Sequence, residues 1–298
     1  MQTMTNSATC PVCAAGTLGQ KYQFNDFNVL RCEECGTAWR SNMYTKDTIH
    51  QMYCEEDYEN HPFFAYEQQS FEATTRAKNF ERALDYIEGA VGKGRLLDVA
   101  CGSGTFLAVA NKRGWRTCGV EISEQLSKVC AETTHSEVVT ALFEEASLPE
   151  HSFDAITCWD IIEHVLDPQA FLEKACSLLR PGGVLLFCTP DEDSLLARTG
   201  WLLYKLSGSL YSYPAYALHP RYHTYFFARK SFAKLLQKKH LGIVKSYSQR
   251  AFFQHSPLAS NLQKKAISLI EDVAGTFDAS YEFVIIARAE GNNGNQHA

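Results

Sequence analysis

From Arg95 to Ala289 short apolar runs alternate with stretches of helical period, and no other feature limits the fold so tightly. Apolar runs of this length, separated by amphipathic helices, fit a mostly parallel sheet covered on both faces. The pattern predicts strands at Arg95–Val99, Arg116–Glu121, Val138–Val139, Phe153–Trp159 and Val184–Thr189, with Ile243–Gln249 and Tyr281–Ala289 completing a seven-stranded α/β sheet. Helices are predicted at Thr105–Arg113, Glu124–Thr133, Pro168–Leu179 and Ser231–Lys239. The third has Asp167 as N-cap and Pro168 at its first position, and should stop at Pro181-Gly-Gly183. Ahead of the sheet, Phe71, Thr75, Phe80, Leu84 and Ile87 mark a helix over 67–87, broken by the run Glu88–Gly94.

The N-terminus carries a different signal. Cys10-Pro-Val-Cys13 and Cys32-Glu-Glu-Cys35 are two C-x-x-C knuckles separated by eighteen residues. The spacing suits a tetrahedral four-thiolate site on a hairpin. Two disulfides are the alternative, and the lack of a secretory signal over Met1–Ala8 disfavours them. Zinc is preferred to iron, although a rubredoxin-like iron site uses the same ligands. Four thiolates close the shell, so the metal is expected to be structural. The expected organisation is a zinc ribbon over 1–45, a linker and helix over 46–90, the α/β domain over 91–290 and a disordered tail over 291–298.

Chemistry concentrates at Leu96-Leu-Asp-Val-Ala-Cys-Gly-Ser-Gly104, an apolar strand entering a glycine turn and then a helix. Gly102 and Gly104 let the backbone approach a ligand and release amides at a helix N-terminus. A dinucleotide site wants a third glycine, and Leu107 stands in its place. Asp98 would repel a pyrophosphate but welcomes an ammonium, and Glu121, ending the next strand, is placed to bind both ribose hydroxyls. Together they specify a nucleoside joined to a charged amino acid, which is S-adenosylmethionine.

Asp98–Gly104, Glu121, Leu148–Asp154, Glu163–Pro168 and Leu179–Gly183 resemble the ordered motifs of class I S-adenosylmethionine-dependent methyltransferases. The run Trp159-Asp-Ile-Ile-Glu-His-Val165 is similar to the ubiquinone-biosynthesis O-methyltransferase branch. The resemblance spans residues 65–290 and implies a Rossmann-like sheet. It also implies a cofactor site of Asp98, Ala100, Gly102, Gly104, Glu121 and Trp159. A zinc ribbon ahead of such a domain resembles bacterial methyltransferases of sugars and other small biosynthetic molecules.

Groups that align an acceptor, or take its proton, must lie beyond the C-terminal strand ends. His164, His219 and His223 are the candidate catalytic residues, with Asp191 and Asp193 also in range. Asp160-x-x-Glu163-His164 resembles the metal-binding run of ubiquinone O-methyltransferases and small-RNA 2′-O-methyltransferases, with Asp in place of the first Glu. That spacing would put three ligands of a second divalent ion on one helical face, completed by His219 or His223. The insertion 191–229 is dense in aromatics, among them Trp201, Tyr204, Tyr211, Tyr213, Tyr216 and Tyr222. It reads as a lid over the acceptor, and a homodimer contact would use the same residue types.

Composition narrows the function. With 28 Lys+Arg against 34 Asp+Glu the net charge is −6, a poor match to a nucleic-acid or anionic-membrane binder. No run of eighteen residues is apolar enough to span a bilayer, and the chain reads as cytoplasmic. The expected activity is O-methylation of a small biosynthetic metabolite. The alternatives are an RNA methyltransferase with a zinc module, a sugar C-methyltransferase and a non-enzymatic cofactor-binding scaffold, the last disfavoured by the intact acidic and glycine set.

Overall fold

A computed structural model describes residues 9–42, 44–48, 75–220, 222–250 and 260–289. The chain opens with strands β1 (Leu18–Gln23), β2 (Asn28–Cys32) and β3 (Ala38–Arg40), followed by helix α1 (Thr75–Val91). Alternation then begins with β4 (Arg95–Val99), α2 (Thr105–Lys112), β5 (Arg116–Glu121), α3 (Glu124–Thr134), β6 (Glu137–Thr140) and β7 (Phe153–Trp159). It continues through α4 (Pro168–Leu178), β8 (Leu179–Pro190), α5 (Leu195–Leu206), α6 (Tyr213–Ala217) and β9 (Tyr225–Phe226). Helix α7 (Arg229–Lys238), β10 (Leu241–Gln249), α8 (Asn261–Thr276) and β11 (Glu282–Ala289) close the chain.

The main sheet has seven strands in the order β10-β11-β8-β7-β4-β5-β6. Strands β8, β7, β4, β5 and β6 are parallel, and β11 runs antiparallel between β8 and β10. The predicted seven-stranded, mostly parallel architecture is therefore present. Apolar side chains fill both faces: Leu97, Val99, Ile156, Leu185, Phe187 and Ile285 on one, and Leu96, Ala155, Val184, Leu186 and Ile286 on the other. Helix starts follow their caps. Asp167 accepts from the amides of Gln169 (2.9 Å) and Ala170 (3.1 Å), and Ser123 accepts from Leu126 (3.2 Å).

Two boundaries differ from the sequence reading. Helix α1 runs through Gly89 to Val91, past the expected break, because Ala83, Leu84 and Ile87 bury one continuous face. Residues 67–74 of that predicted helix, and the tail 291–298, lie outside the described residues. At the other boundary, Arg180–Gly183 belongs to β8 rather than to a helix end. Gly182 takes φ +82°, and a Cβ on Gly183 would lie 3.0 Å from the carbonyls of Arg180 and Asp154. Glycine lets this strand pass close to β7.

The second sheet joins distant parts of the chain. Its order is β1-β2-β3-β9, all antiparallel, so the ribbon's own three strands are extended by a strand from the 191–229 insertion. Tyr22, Phe24, Phe27 and Val29 of the ribbon pack with Tyr204, Ala215 and Phe226 of the insertion.

Candidate active site

The ends of β4, β5, β7 and β8 open on one edge of the sheet. After β4 the backbone enters the left-handed region at Ala100 (φ 57°), Gly102 (φ 53°) and Gly104 (φ 86°) before α2 begins. A Cβ on Gly104 would meet Cys130 Sγ at 2.6 Å and Thr134 Cγ2 at 2.8 Å, so this glycine is what lets α2 seat against α3. Glu121 is buried and ties the turn down: Oε2 accepts from Gly102 N and Oε1 from Ser123 N, each at 2.9 Å. Asp98 is also buried and accepts from Thr157 Oγ1 at 2.6 Å. Burial pushes its carboxyl up to about 7, against the pull of the Thr157 hydrogen bond. Beside the turn, Ser103 Oγ and Trp159 Nε1 are buried without a hydrogen-bond partner among the described residues. Trp159 packs at a tilt on Phe80 and Phe106, ring centroids 4.6 and 5.4 Å away. Two unpartnered polar atoms around an acidic, glycine-lined turn suit a polar ligand.

After β7 the chain makes a turn, not a helix. Asp160 has φ 51°, and the next residues bend so that the expected common face of Asp160, Glu163 and His164 does not form. Asp160 instead pairs with Arg76 of α1 at 3.1 Å and lies near Cys188 and Glu282. Glu163 and His164 meet His223: one ligand atom from each lies within 4.8 Å of the others. The His164 and His223 rings stand edge to face with centroids 4.7 Å apart, and His164 Nδ1 lies 3.0 Å from the Tyr222 carbonyl. Glu163 is fully buried, with Oε2 unpartnered among the described residues. Desolvation raises the Glu163 carboxyl well above its usual range, lowers His164 to about 4 and holds His223 well below the usual imidazole range. A small cavity of about 10 Å³ lies here, bounded by Glu163, Thr189, Asp191, Glu192 and His223.

His219 does not join this group. It is sealed among Tyr22, Phe24 and Phe226, with Nδ1 2.6 Å from the Ala215 carbonyl and Nε2 3.1 Å from the Glu192 carboxylate. Lys21 Nζ reaches the same carboxylate at 2.5 Å. Burial pushes Glu192 up, but His219 and Lys21 outweigh it and hold the carboxyl down at about 2. Asp191 accepts from the amides of Asp193 (3.0 Å) and Arg229 (3.3 Å), while Asp193 pairs with Arg31 at 3.4 Å. These are joints between insertion, ribbon and sheet. The insertion itself is no free lid. Tyr204, Tyr225, Phe226 and Phe227 are buried, β9 pairs with β3, and the amides of Thr224 and Tyr225 donate to the Glu163 carbonyl. Trp201, Tyr211, Tyr213, Tyr216 and Tyr222 remain exposed.

The four ribbon cysteines converge, with their sulfurs within 4.8 Å of one another. Sγ pairs lie at 3.6 Å (Cys10–Cys35) and 3.5 Å (Cys13–Cys32), close to the edge of about 3.8 Å in a tetrahedron with 2.3 Å zinc–sulfur bonds. The amides of Cys13 and Cys35 point at the first sulfur of each knuckle, 3.5 Å away. All four cysteines are free of disulfides.

Residues 68–246 match the methyltransferase domain family. The chain belongs to that family. Ubiquinone biosynthesis O-methyltransferases are similar to it. The Coxiella burnetii protein is 34% identical over 117 residues, 37% of this chain and 50% of the relative. The Xanthomonas campestris protein is 34% identical over 114 residues, 36% and 48% of the two chains. The chain thus spans about half the length of the curated relatives it matches. Among solved structures, magnesium protoporphyrin IX methyltransferase from Synechocystis, with bound SAH, superposes with a TM-score of 0.55 at 12% identity, covering 82% of this chain and all of that one (100%). Geranyl diphosphate C-methyltransferase from Streptomyces coelicolor gives 0.52 at 14% identity, covering 79% and 83%. These two establish the fold.

Proposed function

We propose that this methyltransferase domain binds S-adenosylmethionine between the Asp98–Gly104 turn and Glu121, and transfers its methyl group to a hydroxyl oxygen of a small biosynthetic metabolite. The observation that carries the reading is the pairing of two sites on one sheet edge. One is a buried acidic turn with unpartnered Ser103 and Trp159 atoms; the other is the Glu163–His164–His223 cluster one strand away. The cofactor supplies the electrophilic methyl. In the acidic turn, Asp98 would receive the ammonium and Glu121 the ribose hydroxyls while still holding the loop amides. Ala100, Gly102 and Gly104 would shape the contact and Trp159 would wall it. The new C–O bond forms as the C–S bond breaks, so the acceptor's proton must leave. His164 would take it: burial keeps its imidazole neutral above about pH 4, so a ring nitrogen stays unprotonated and able to accept. His223 would steady that ring. The similarity to O-methyltransferases supports oxygen as the nucleophile.

A second reading of the same cluster adds a divalent cation on Glu163, His164 and His223, without Asp160. The unpartnered Glu163 oxygen favours it, since an ion would draw the proton from that carboxyl and leave the two histidines neutral, as ligands must be. In the ribbon, the sulfur geometry supports structural zinc.

Transfer from ¹³C-methyl-labelled cofactor to a panel of small hydroxylated metabolites tests the proposal. An O-methyl product is expected, with turnover lowered about 10²–10⁴-fold in His164→Ala and cofactor affinity retained. Abolition by chelator and restoration by magnesium or manganese would select the metal reading. A C-methyl product, or methylation of RNA instead, would overturn the O-transfer proposal.

A further inference from the structure

A second cavity, of about 390 Å³, lies outside the site described above, between the ribbon hairpin and α5. Its volume falls in the range of small-molecule sites. One wall is β1 and β2, with Gly19, Lys21 and Arg31; the other is the face of α5 bearing Arg198, Trp201 and Lys205. Those three stand at i, i+3 and i+7, on one side of the helix. The charges in the cleft are not equivalent. Lys21 is spent on Glu192 and Arg31 on Asp193, pairs that brace the two walls against each other. Arg198 and Lys205 have no carboxylate within pairing distance among the described residues, and Trp201 between them is 39% exposed. Glu33 is the one other acid among the described residues that line it. In a chain of net charge −6, this cleft thus offers two uncommitted cations flanking a bare indole.

Glu192 lines both cavities, so the cleft borders the small space at the end of β8, with this one carboxylate between them. Ribbon and insertion, the two additions to the methyltransferase sheet, pack against each other, and this cleft lies where they meet. We propose that the cleft binds an organic anion that carries a flat ring: the ring stacks on Trp201 while Arg198 and Lys205 take a phosphate or carboxylate. The bound molecule is the far end of the methyl acceptor. That last assignment rests on the transferase reading; binding in the cleft does not.

Tryptophan fluorescence of the full chain tests it, with uridine diphosphate and 4-hydroxybenzoate as the phosphate and carboxylate probes and uridine as the uncharged control. Saturable quenching by either anion is expected, absent in Trp201→Phe and weakened at least tenfold in the Arg198→Ala/Lys205→Ala double variant. Which anion quenches identifies the charge. Quenching that persists in Trp201→Phe, is unchanged in the double variant or is matched by uridine overturns the proposal. So does the lack of saturation by either anion to roughly 10 mM. S-adenosylmethionine affinity, measured on the same double variant, should be unaltered. Its loss in the wild type would sink the transferase reading while leaving the fluorescence result standing.

Discussion

Asp98 carries the sharpest electrostatic signature of the acidic glycine turn. Its folded value of about 7 lies above the ordinary 3.8, because burial disfavours the carboxylate. A raised carboxyl contributes stability that is full below about pH 4 and lost as pH climbs through 7. Asp98→Asn should therefore flatten the pH dependence of thermal unfolding over that window. A cationic ligand reverses the preference, so binding near pH 6 should expel a proton. Calorimetry in buffers of different ionisation enthalpy is expected to show that proton for the wild type and not for Asp98→Asn. Glu192 behaves in the opposite sense, held at about 2 by His219 and Lys21. Glu192→Ala would strand both partners in the interior and should cost about 3–5 kcal/mol in urea unfolding. A loss below about 1 kcal/mol would mean that the chain Lys21–Glu192–His219 does not hold ribbon to insertion.

Strand β9 shows how one small element couples two regions. It is two residues long, yet it adds Tyr225 and Phe226 to the ribbon sheet through Trp39 and Ala38. Tyr204 of α5 strengthens the joint by accepting from the Gln23 amide at 3.1 Å. Removing the zinc proposed for the ribbon, by chelation or by Cys32→Ser, is therefore expected to speed hydrogen exchange across 195–226 as well as 10–40. Faster exchange confined to the ribbon would show that the sheet is not continuous in solution. The same element marks where the sequence stops being legible. Strands β4, β5 and β7 stand out as apolar runs, and both cysteine knuckles and the glycine turn are local signals. The partner of β9 lies far upstream, and two residues leave no period to read. The turn at 160–165 failed differently. Its three- and four-residue spacings imitate a helical face, while the left-handed Asp160 sends that carboxylate to Arg76. His219 offered no signal to separate a sealed histidine from one in the site; only its aromatic enclosure does.

At the scale of the whole molecule, a seven-stranded sheet supplies the edge on which the acidic turn and the Glu163–His164–His223 cluster stand, and the ribbon and insertion build a second wall beside it. Among the described residues no helix is long and apolar enough to cross a membrane. The account depends above all on the buried acidic turn being a cofactor site, because the proton acceptor is assigned by its place relative to that turn. Isothermal titration of the intact protein with S-adenosylmethionine tests this most directly. The account predicts one saturable site per chain, weakened about tenfold or more in Glu121→Ala, which removes charge-assisted hydrogen bonds worth about 1.5–3 kcal/mol. No binding by the wild type, or equal binding by Glu121→Ala, would contradict it.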